Sequence, residues 1–209
     1  MKNITGIFLL VALYGAVMLN APSVSDADAS APNPDAKTYY NSGTAAYEKG
    51  DFAGAVKELS KAIKLEPKAP DAYYNRGLSF RRQHEIGKAI SDFSSAIRLY
   101  AFQPSYYLSR CNARIVKGDL AEAIEDASHA IQLMPEEARA YFMRGLAYML
   151  RGDLDEALED SIQALQLDPF YPDAQRLLQE IIMKKQILPV RSVPSMSPSP
   201  YMVNAPKEI

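Results

Sequence analysis

The sequence is poor in the residues from which metal sites and disulfide frameworks are built. Its 209 residues include one cysteine, two histidines and no tryptophan. A single cysteine excludes an intrachain disulfide framework. His84 and His129 lie far apart in the sequence, and neither has a second histidine or a cysteine at metal-ligand spacing, so we expect surface histidines and no metal site. Cys111 stands among small, regularly spaced residues, which predicts a buried thiol.

Charge and motif content also exclude several classes of function. The formal net charge of −2 gives no electrostatic reason to expect a nucleic-acid partner. The chain lacks a glycine-rich phosphate loop, an HExxH motif and a nucleophile elbow. The sequence therefore predicts a protein that is not an enzyme and that has no catalytic, cofactor-binding or metal-binding residues.

The chain contains instead a pattern that recurs at a constant interval, without insertion, in four copies. The recurring positions are one aromatic, three small and one leucine: Tyr39, Tyr73, Tyr107, Tyr141; Gly43, Gly77, Cys111, Gly145; Ala55, Ala89, Ala123, Ala157; Ala62, Ala96, Ala130, Ala164; Leu65, Leu99, Leu133, Leu167. In each copy they fall on one side of two helices joined by a short turn, such as Gly152-Asp153. Helices this short cannot bury their apolar sides alone, so the pattern predicts stacked copies.

This pattern resembles the tetratricopeptide repeat, whose signature is W-x2-L-G-x2-Y, then A-x3-F, then P. Tyrosine replaces the tryptophan in every copy, and arginine replaces the leucine before the small residue in the last three. The resemblance implies an all-α fold, a right-handed α-solenoid of four 34-residue helix-turn-helix repeats at 36–69, 70–103, 104–137 and 138–171. We expect their helices near 36–49, 52–65, 70–83, 86–99, 104–117, 120–133, 138–151 and 154–167. An amphipathic C-terminal capping helix, 172–188, should cover the exposed second helix of the last repeat.

The two ends differ in composition from the repeats. Residues 1–27 carry one early cation, Lys2, and then an apolar run, which is typical of a signal peptide or of an uncleaved membrane anchor. Residues 28–35 are predicted to be a linker, and the proline-rich residues 189–209 a disordered tail. We therefore expect an exported chain, periplasmic or secreted, or one held at a membrane by its N-terminal segment.

A repeated pair of opposite charges accompanies the pattern. The arginines Arg76, Arg110 and Arg144 each follow one acid and precede another at nearly equal spacing; the acids are Glu58, Asp92, Asp126 and Asp160. Either pairing would join a first helix to a second helix, within a repeat or between repeats. Arginine suits such a pair, because its planar fork meets a carboxylate at two points. The alternative is that these arginines bind an acidic ligand.

The resemblance also implies a binding surface, because the first helices of this family line a concave groove. The predicted peptide-binding groove comprises Tyr40, Thr44, Tyr74, Asn75, Leu78, Arg81, Leu108, Asn112, Phe142, Met143, Leu146 and Met149. Val116 and Leu150 are predicted to face the same way. The carboxylate clamp of the co-chaperone class is not expected, since its lysine positions hold other residues here. We expect a protein or peptide partner; the alternative is a self-associating scaffold of an envelope assembly, whose homo-oligomer would cover the groove.

Overall fold

A computed structural model describes residues 34–187, and all regular elements in this range are α-helices. They are α1 (Pro34–Glu48), α2 (Phe52–Leu65), α3 (Pro70–Arg82), α4 (Ile86–Leu99), α5 (Pro104–Lys117), α6 (Leu120–Leu133), α7 (Ala138–Arg151), α8 (Leu154–Leu167) and α9 (Pro172–Ile187). Consecutive helices pack against each other, which confirms the predicted solenoid with its capping helix. The predicted signal peptide or anchor (1–27), most of the predicted linker (28–33) and the tail (189–209) lie outside the described residues, and the last two linker residues begin α1.

Proline and glycine determine where several helices begin and end. Pro70, Pro104 and Pro172 open α3, α5 and α9, where the missing backbone N–H has no partner to lose. Gly118 and Gly152 follow α5 and α7 with φ of 91° and 100°, in the left-handed region that glycine enters without steric cost. In the second repeat His84 occupies the equivalent turn with a φ of 62°.

The two helices of a repeat approach closely where a glycine faces a large side chain. A Cβ added to Gly43 would lie 2.6 Å from Leu59 Cγ, and one added to Gly77 would lie 2.7 Å from Phe93 Cε1. Leu59 and Phe93 are fully buried. Carbon atoms pack at about 3.5–4.0 Å, so a side chain at either glycine would force the two helices apart.

In the third repeat, the larger side chain of this contact lies on the first helix and the smaller one on the second helix. Cys111 stands in the glycine position, and Ala127 stands where the earlier repeats have Leu59 and Phe93. Both Cys111 and Ala127 are fully buried, which confirms the predicted burial of the thiol. Burial raises the pKa of Cys111 to about 12, so the side chain behaves as a small neutral group within the core.

The capping helix α9 packs against α7 as well as α8. Leu177 and Ile181 form a buried cluster with Met149 of α7 and Ala157 of α8. The sequence predicted a cover for α8 alone, and the structure extends the contact to α7. Helix α9 contacts α7 because it has the same pattern of buried residues, displaced by one repeat. The equivalent buried residues of α7 and α9 are Ala140 and Ala174, Met143 and Leu177, and Ala147 and Ile181. Helix α9 thus repeats the buried positions of a first helix.

Candidate functional site

The first helices of the repeats form the inner side of the stack. Helices α1, α3, α5 and α7 contact one another in succession, whereas the second helices mainly contact first helices of their own and the next repeat. A stack whose first helices lie closer together than its second helices curves with the first helices inside. We call the inner surface of α1, α3, α5 and α7 the concave face.

Three repeated ties, each of a serine, an arginine and an aspartate, hold α3, α5 and α7 in place. Arg144 of α7 donates from Nε and Nη2 to the two carboxylate oxygens of Asp160 in α8, both at 2.8 Å. Its Nη1 donates to Ser128 Oγ of the preceding repeat at 3.3 Å. The other two Ser–Arg–Asp ties are formed by Ser60, Arg76 and Asp92 and by Ser94, Arg110 and Asp126.

The ties decide between the two pairings that the sequence left open. Each arginine pairs with the acid that follows it, within its own repeat, while Glu58 pairs with Lys61. The hydrogen bond to Asp160 raises the pKa of Arg144, and Asp92 raises that of Arg76 in the same way. Because their donors are used inside the protein, these arginines stabilise the solenoid and are not placed to catch an acidic ligand.

Sequence reasoning missed the serines of the ties. They recur with the period of the repeat, and each precedes its arginine by the same interval. The repeated serines and the repeated arginines end at the same step of the repeat, because Ile162 stands in the next serine position and Leu178 in the next arginine position. This shared end indicated that the serines and arginines act together.

The predicted groove residues of α1 and α3 are brought together and are all half-buried. Asn75 donates from Nδ2 to the hydroxyl of Tyr40 at 2.9 Å. Thr44 donates to the main-chain carbonyl of Tyr40 at 2.9 Å. Tyr74 and Leu78 pack against the buried cluster around Phe93. This part of the concave face is therefore ordered by its own hydrogen bonds and remains accessible.

At the centre of the concave face, two predicted groove residues contact each other and a third is buried. Arg81 donates from Nη1 to Asn112 Oδ1 at 2.7 Å, which links α3 to α5. Leu108, in contrast, is only 4% exposed, because it packs in the core cluster that includes Met143 of α7. The expectation that Leu108 faces an open groove is therefore wrong.

The rear of the predicted groove is largely covered by α9. Met143 and Met149 are buried, and Phe142 and Leu146 are half-buried against the cluster that contains Leu177 and Ile181. The ring centroid of Phe142 lies 5.2 Å from that of Tyr171, just before α9. The apolar stripe on α7 is therefore mainly a packing surface for the capping helix, which corrects the prediction that it is open.

Apolar side chains do remain exposed farther along the same helices. Val116 of α5 is 63% exposed and Leu150 of α7 is 48% exposed. The two residues are separated by one repeat, so they occupy equivalent positions on neighbouring first helices. Both belong to the first helices, and the sequence predicts that both face the groove.

A cluster of one aspartate and three tyrosines lies near the beginning of the first helices. Tyr106 of α5 is 3% exposed, and its hydroxyl donates to Asp71 Oδ1 of α3. The ring centroids of Tyr106 and Tyr74 lie 4.9 Å apart. Burial and the charge of Asp71 raise the pKa of both Tyr40 and Tyr106. We call Tyr40, Asp71, Tyr74 and Tyr106 the aspartate–tyrosine cluster.

Tyr106 was not singled out from the sequence, although a signal was present. The equivalent positions of the second repeat, the fourth repeat and α9 hold Ala72, Ala140 and Ala174. A large polar aromatic residue in place of a buried alanine fills space between α3 and α5 and brings a hydroxyl to the concave face. The departure of Tyr106 from the repeated alanine therefore indicated this cluster, whereas the repeated residues did not.

The histidines do not form a metal centre. Within residues 34–187, no group of three or more histidine, cysteine, aspartate or glutamate side chains is placed to hold a metal ion. His129 packs its ring against Tyr107, with centroids 5.4 Å apart. His84 lies in the turn after α3, where it takes the place of a glycine.

Comparisons with known proteins agree with this geometry. Residues 43–84 match the family described as TPR repeat, and residues 108–180 match the family described as tetratricopeptide repeat. Together these ranges cover more than half of the chain. None of the curated proteins matches it.

Solved structures of similar fold include MamA, residues 41 to the end, from Desulfovibrio magneticus RS-1. It is 21% identical, with a TM-score of 0.71 over 75% of this chain and 88% of that chain. YrrB, a TPR protein with an unusual peptide-binding site, is 22% identical, with a TM-score of 0.64 over 73% of this chain and 78% of its own. The first TPR of Spaghetti, bound to an HSP90 peptide, is 23% identical, with a TM-score of 0.55 over 56% of this chain and 93% of its own. With these matches and its stacked helix pairs, the chain belongs to the tetratricopeptide-repeat family.

Proposed function

We propose that this chain is a non-enzymatic repeat module that binds a protein or peptide partner on its concave face. The observation that carries the proposal is the exposure of Val116 and Leu150 at equivalent positions of α5 and α7. Apolar side chains that stay exposed side by side on a rigid surface are typical of protein-interaction sites. The Ser–Arg–Asp ties supply that rigidity, because they fix α3, α5 and α7 to the helices before and after them.

The solved relatives support peptide binding by a fold of this kind, and the residues of this chain favour a different mode of recognition from a carboxylate clamp. Among the positions that would form the clamp, Asn75 donates to Tyr40. Ser109 is buried and donates to the hydroxyl of Tyr74 at 3.2 Å. The clamp lysines are absent, so we expect the partner to be held through side-chain anchors and not through its terminal carboxylate.

The test is a full-length variant that carries both Val116→Glu and Leu150→Glu. We expect its melting temperature to stay close to that of the wild type, because both positions are exposed. Capture of the partner from membrane and soluble fractions, quantified by mass spectrometry, should fall at least about tenfold. The physical reason is that an unpaired carboxylate in an apolar contact costs on the order of several kcal/mol.

Ile162→Glu is the matched control, since Ile162 is an exposed apolar residue of α8 outside the concave face. This variant should capture the partner normally. Undiminished capture by the Val116/Leu150 variant would place the binding site elsewhere, for example on residues 189–209. If light scattering shows a wild-type oligomer that the double variant converts to a monomer, the concave face serves self-association instead.

We also propose that the chain acts in the cell envelope after export. The support is the apolar run in residues 1–27 with one preceding cation and no basic residue until Lys37. No helix among residues 34–187 has the length and hydrophobicity needed to cross a membrane. N-terminal sequencing of the mature chain is expected to begin near Asp28 or Ser30 if the run is a cleaved signal. Recovery of intact Met1 from the cytoplasm would refute export.

A further inference from the structure

The aspartate–tyrosine cluster presents a carboxylate that is held in place but not neutralised. Asp71 is exposed on α3, and one of its oxygens accepts the hydrogen bond from the buried Tyr106. Its other oxygen has no hydrogen-bond donor among the described residues. Within residues 34–187, no lysine or arginine forms an ion pair with Asp71. Asp71 is therefore a fixed negative charge on α3 that lacks a cationic partner in the part of the chain that the structure describes.

Two further tyrosines of the cluster lie near this carboxylate. Tyr74 follows Asp71 on the same helix at a spacing of one turn, so the two side chains are neighbours. The hydroxyl of Tyr40 in α1 accepts the hydrogen bond from Asn75, which lies one turn after Asp71 on α3. Tyr74 in turn accepts a hydrogen bond from Ser109 of α5. Both tyrosines are half-buried and fixed by these bonds, and the ring of Tyr74 also packs against Phe93 and Tyr106. The exposed part of each ring and its hydroxyl oxygen, which can accept a hydrogen bond, remain available to a ligand.

A role in starting the helix does not account for the cluster. An acid in the first turn stabilises a helix, and Asp71 does occupy the first turn of α3. The equivalent positions of the other repeats, however, hold Lys37, Ser105 and Arg139, so the solenoid does not require an acid there. Helix capping by Asp71 also does not require a hydrogen bond from the buried Tyr106 of the next repeat.

We propose that the aspartate–tyrosine cluster binds the ammonium or guanidinium group of a lysine or arginine side chain in an extended segment of the protein partner. Asp71 supplies the counter-charge, and Tyr40 and Tyr74 supply ring faces of the kind that attract cations. Tyr106 is a positioning residue, because its hydroxyl holds the carboxylate of Asp71 in place. The inference rests on the proposed function and adds to it the chemistry of one anchor residue of the partner.

The experiment selects binding peptides from a random library of short peptides displayed on phage, with the full chain as bait. Three baits are compared: wild type, Asp71→Asn and Asp173→Asn. Asp173 is the matched control, since it is an exposed carboxylate at the equivalent position of α9, where Arg176 already pairs with it. We expect one lysine- or arginine-enriched position with wild type and with Asp173→Asn. The Asp71→Asn bait should lose that enrichment and keep the apolar anchors.

Affinities then test the pairing directly with one synthetic peptide from the wild-type selection. Replacing its basic residue with norleucine should weaken binding to the wild type about tenfold, the combined effect of an ion pair and a cation–π contact. The same replacement should have little effect on Asp71→Asn. Tyr106→Phe, which keeps the ring against Tyr74, should weaken the basic peptide several-fold and leave the norleucine peptide unchanged.

The outcomes separate this inference from the proposed function. Peptides that bind without a basic preference, or with a preference that Asp71→Asn retains, overturn the cation site and leave peptide binding intact. A wild-type chain that selects no peptide at all overturns both. Thermal melting of Asp71→Asn and Tyr106→Phe shows that each bait is folded before it is compared.

Discussion

The Arg144→Leu variant is expected to lower the free energy of unfolding by about 3 kcal/mol, measured by chemical denaturation. Asp160 is only 5% exposed, and Arg144 is its sole cationic partner among the described residues. Removing the guanidinium leaves a nearly buried carboxylate with neither counter-charge nor hydrogen-bond donor, which costs far more than losing an exposed ion pair. Leucine restores the residue usual in the family, so poor local packing would not explain the loss.

Arg110→Leu is the internal control for this result. Asp126 accepts hydrogen bonds from both Arg110 and Arg114, the latter at 2.6 Å from Nη1. The carboxylate keeps a cation after Arg110 is removed, so the loss should be smaller than for Arg144→Leu. A double-mutant cycle of Arg144→Leu with Asp160→Asn should give a coupling of at least about 1 kcal/mol. Equal losses for the two arginines would show that Arg114 does not compensate for Arg110. No loss for Arg144→Leu, or no coupling, would show that the tie does not stabilise the solenoid.

Phe93→Ala is expected to be the most destabilising single change, with a loss of about 3–5 kcal/mol. Phe93 is fully buried against Gly77, and alanine would leave a cavity between α3 and α4. Gly77→Cys alone should cost about 1–3 kcal/mol, because its Cβ would collide with the ring of Phe93. The two changes together reproduce the Cys111 and Ala127 pair of the third repeat. The double variant should therefore be more stable than Phe93→Ala alone.

Urea unfolding of the two single variants and the double variant measures this coupling. Gly87→Ala serves as the control for helix propensity, since nothing lies within 4 Å of a Cβ at that position. It should stabilise the chain by up to about 1 kcal/mol. Losses that simply add in the double variant would mean that the third repeat tolerates its cysteine for some other reason.

The helices could be predicted from the sequence because the constant period encodes both the buried side of each helix and the turns between them. The ion pairs could be predicted only in part. In a periodic chain, an arginine that stands near the midpoint between acids of successive repeats can pair backward or forward at almost equal spacing. Only the three-dimensional geometry could show that Arg144 turns toward Asp160 and uses its remaining donor on Ser128.

The groove prediction was wrong on α7, because one side of this helix could face either a ligand or another helix. Phe142, Leu146 and Met149 form one stripe on α7, and periodicity alone does not say whether that stripe faces a ligand or another helix. The structure places α9 beside it, because α9 repeats the buried positions of a first helix. Tyr106 was missed for the opposite reason, since a search for what recurs passes over the residue that departs from the pattern.

The Ser–Arg–Asp ties have a consequence for the modular evolution of this array. Each tie takes its serine from one repeat and its arginine and aspartate from the next, at the same two spacings in every case. Duplication or deletion of one whole interior repeat would leave every remaining tie complete, because the new neighbours would carry the same residues in the same register. An insertion of any other length would separate a serine from its arginine. Changes in array length by whole repeats are therefore the ones that preserve these contacts without a compensating substitution.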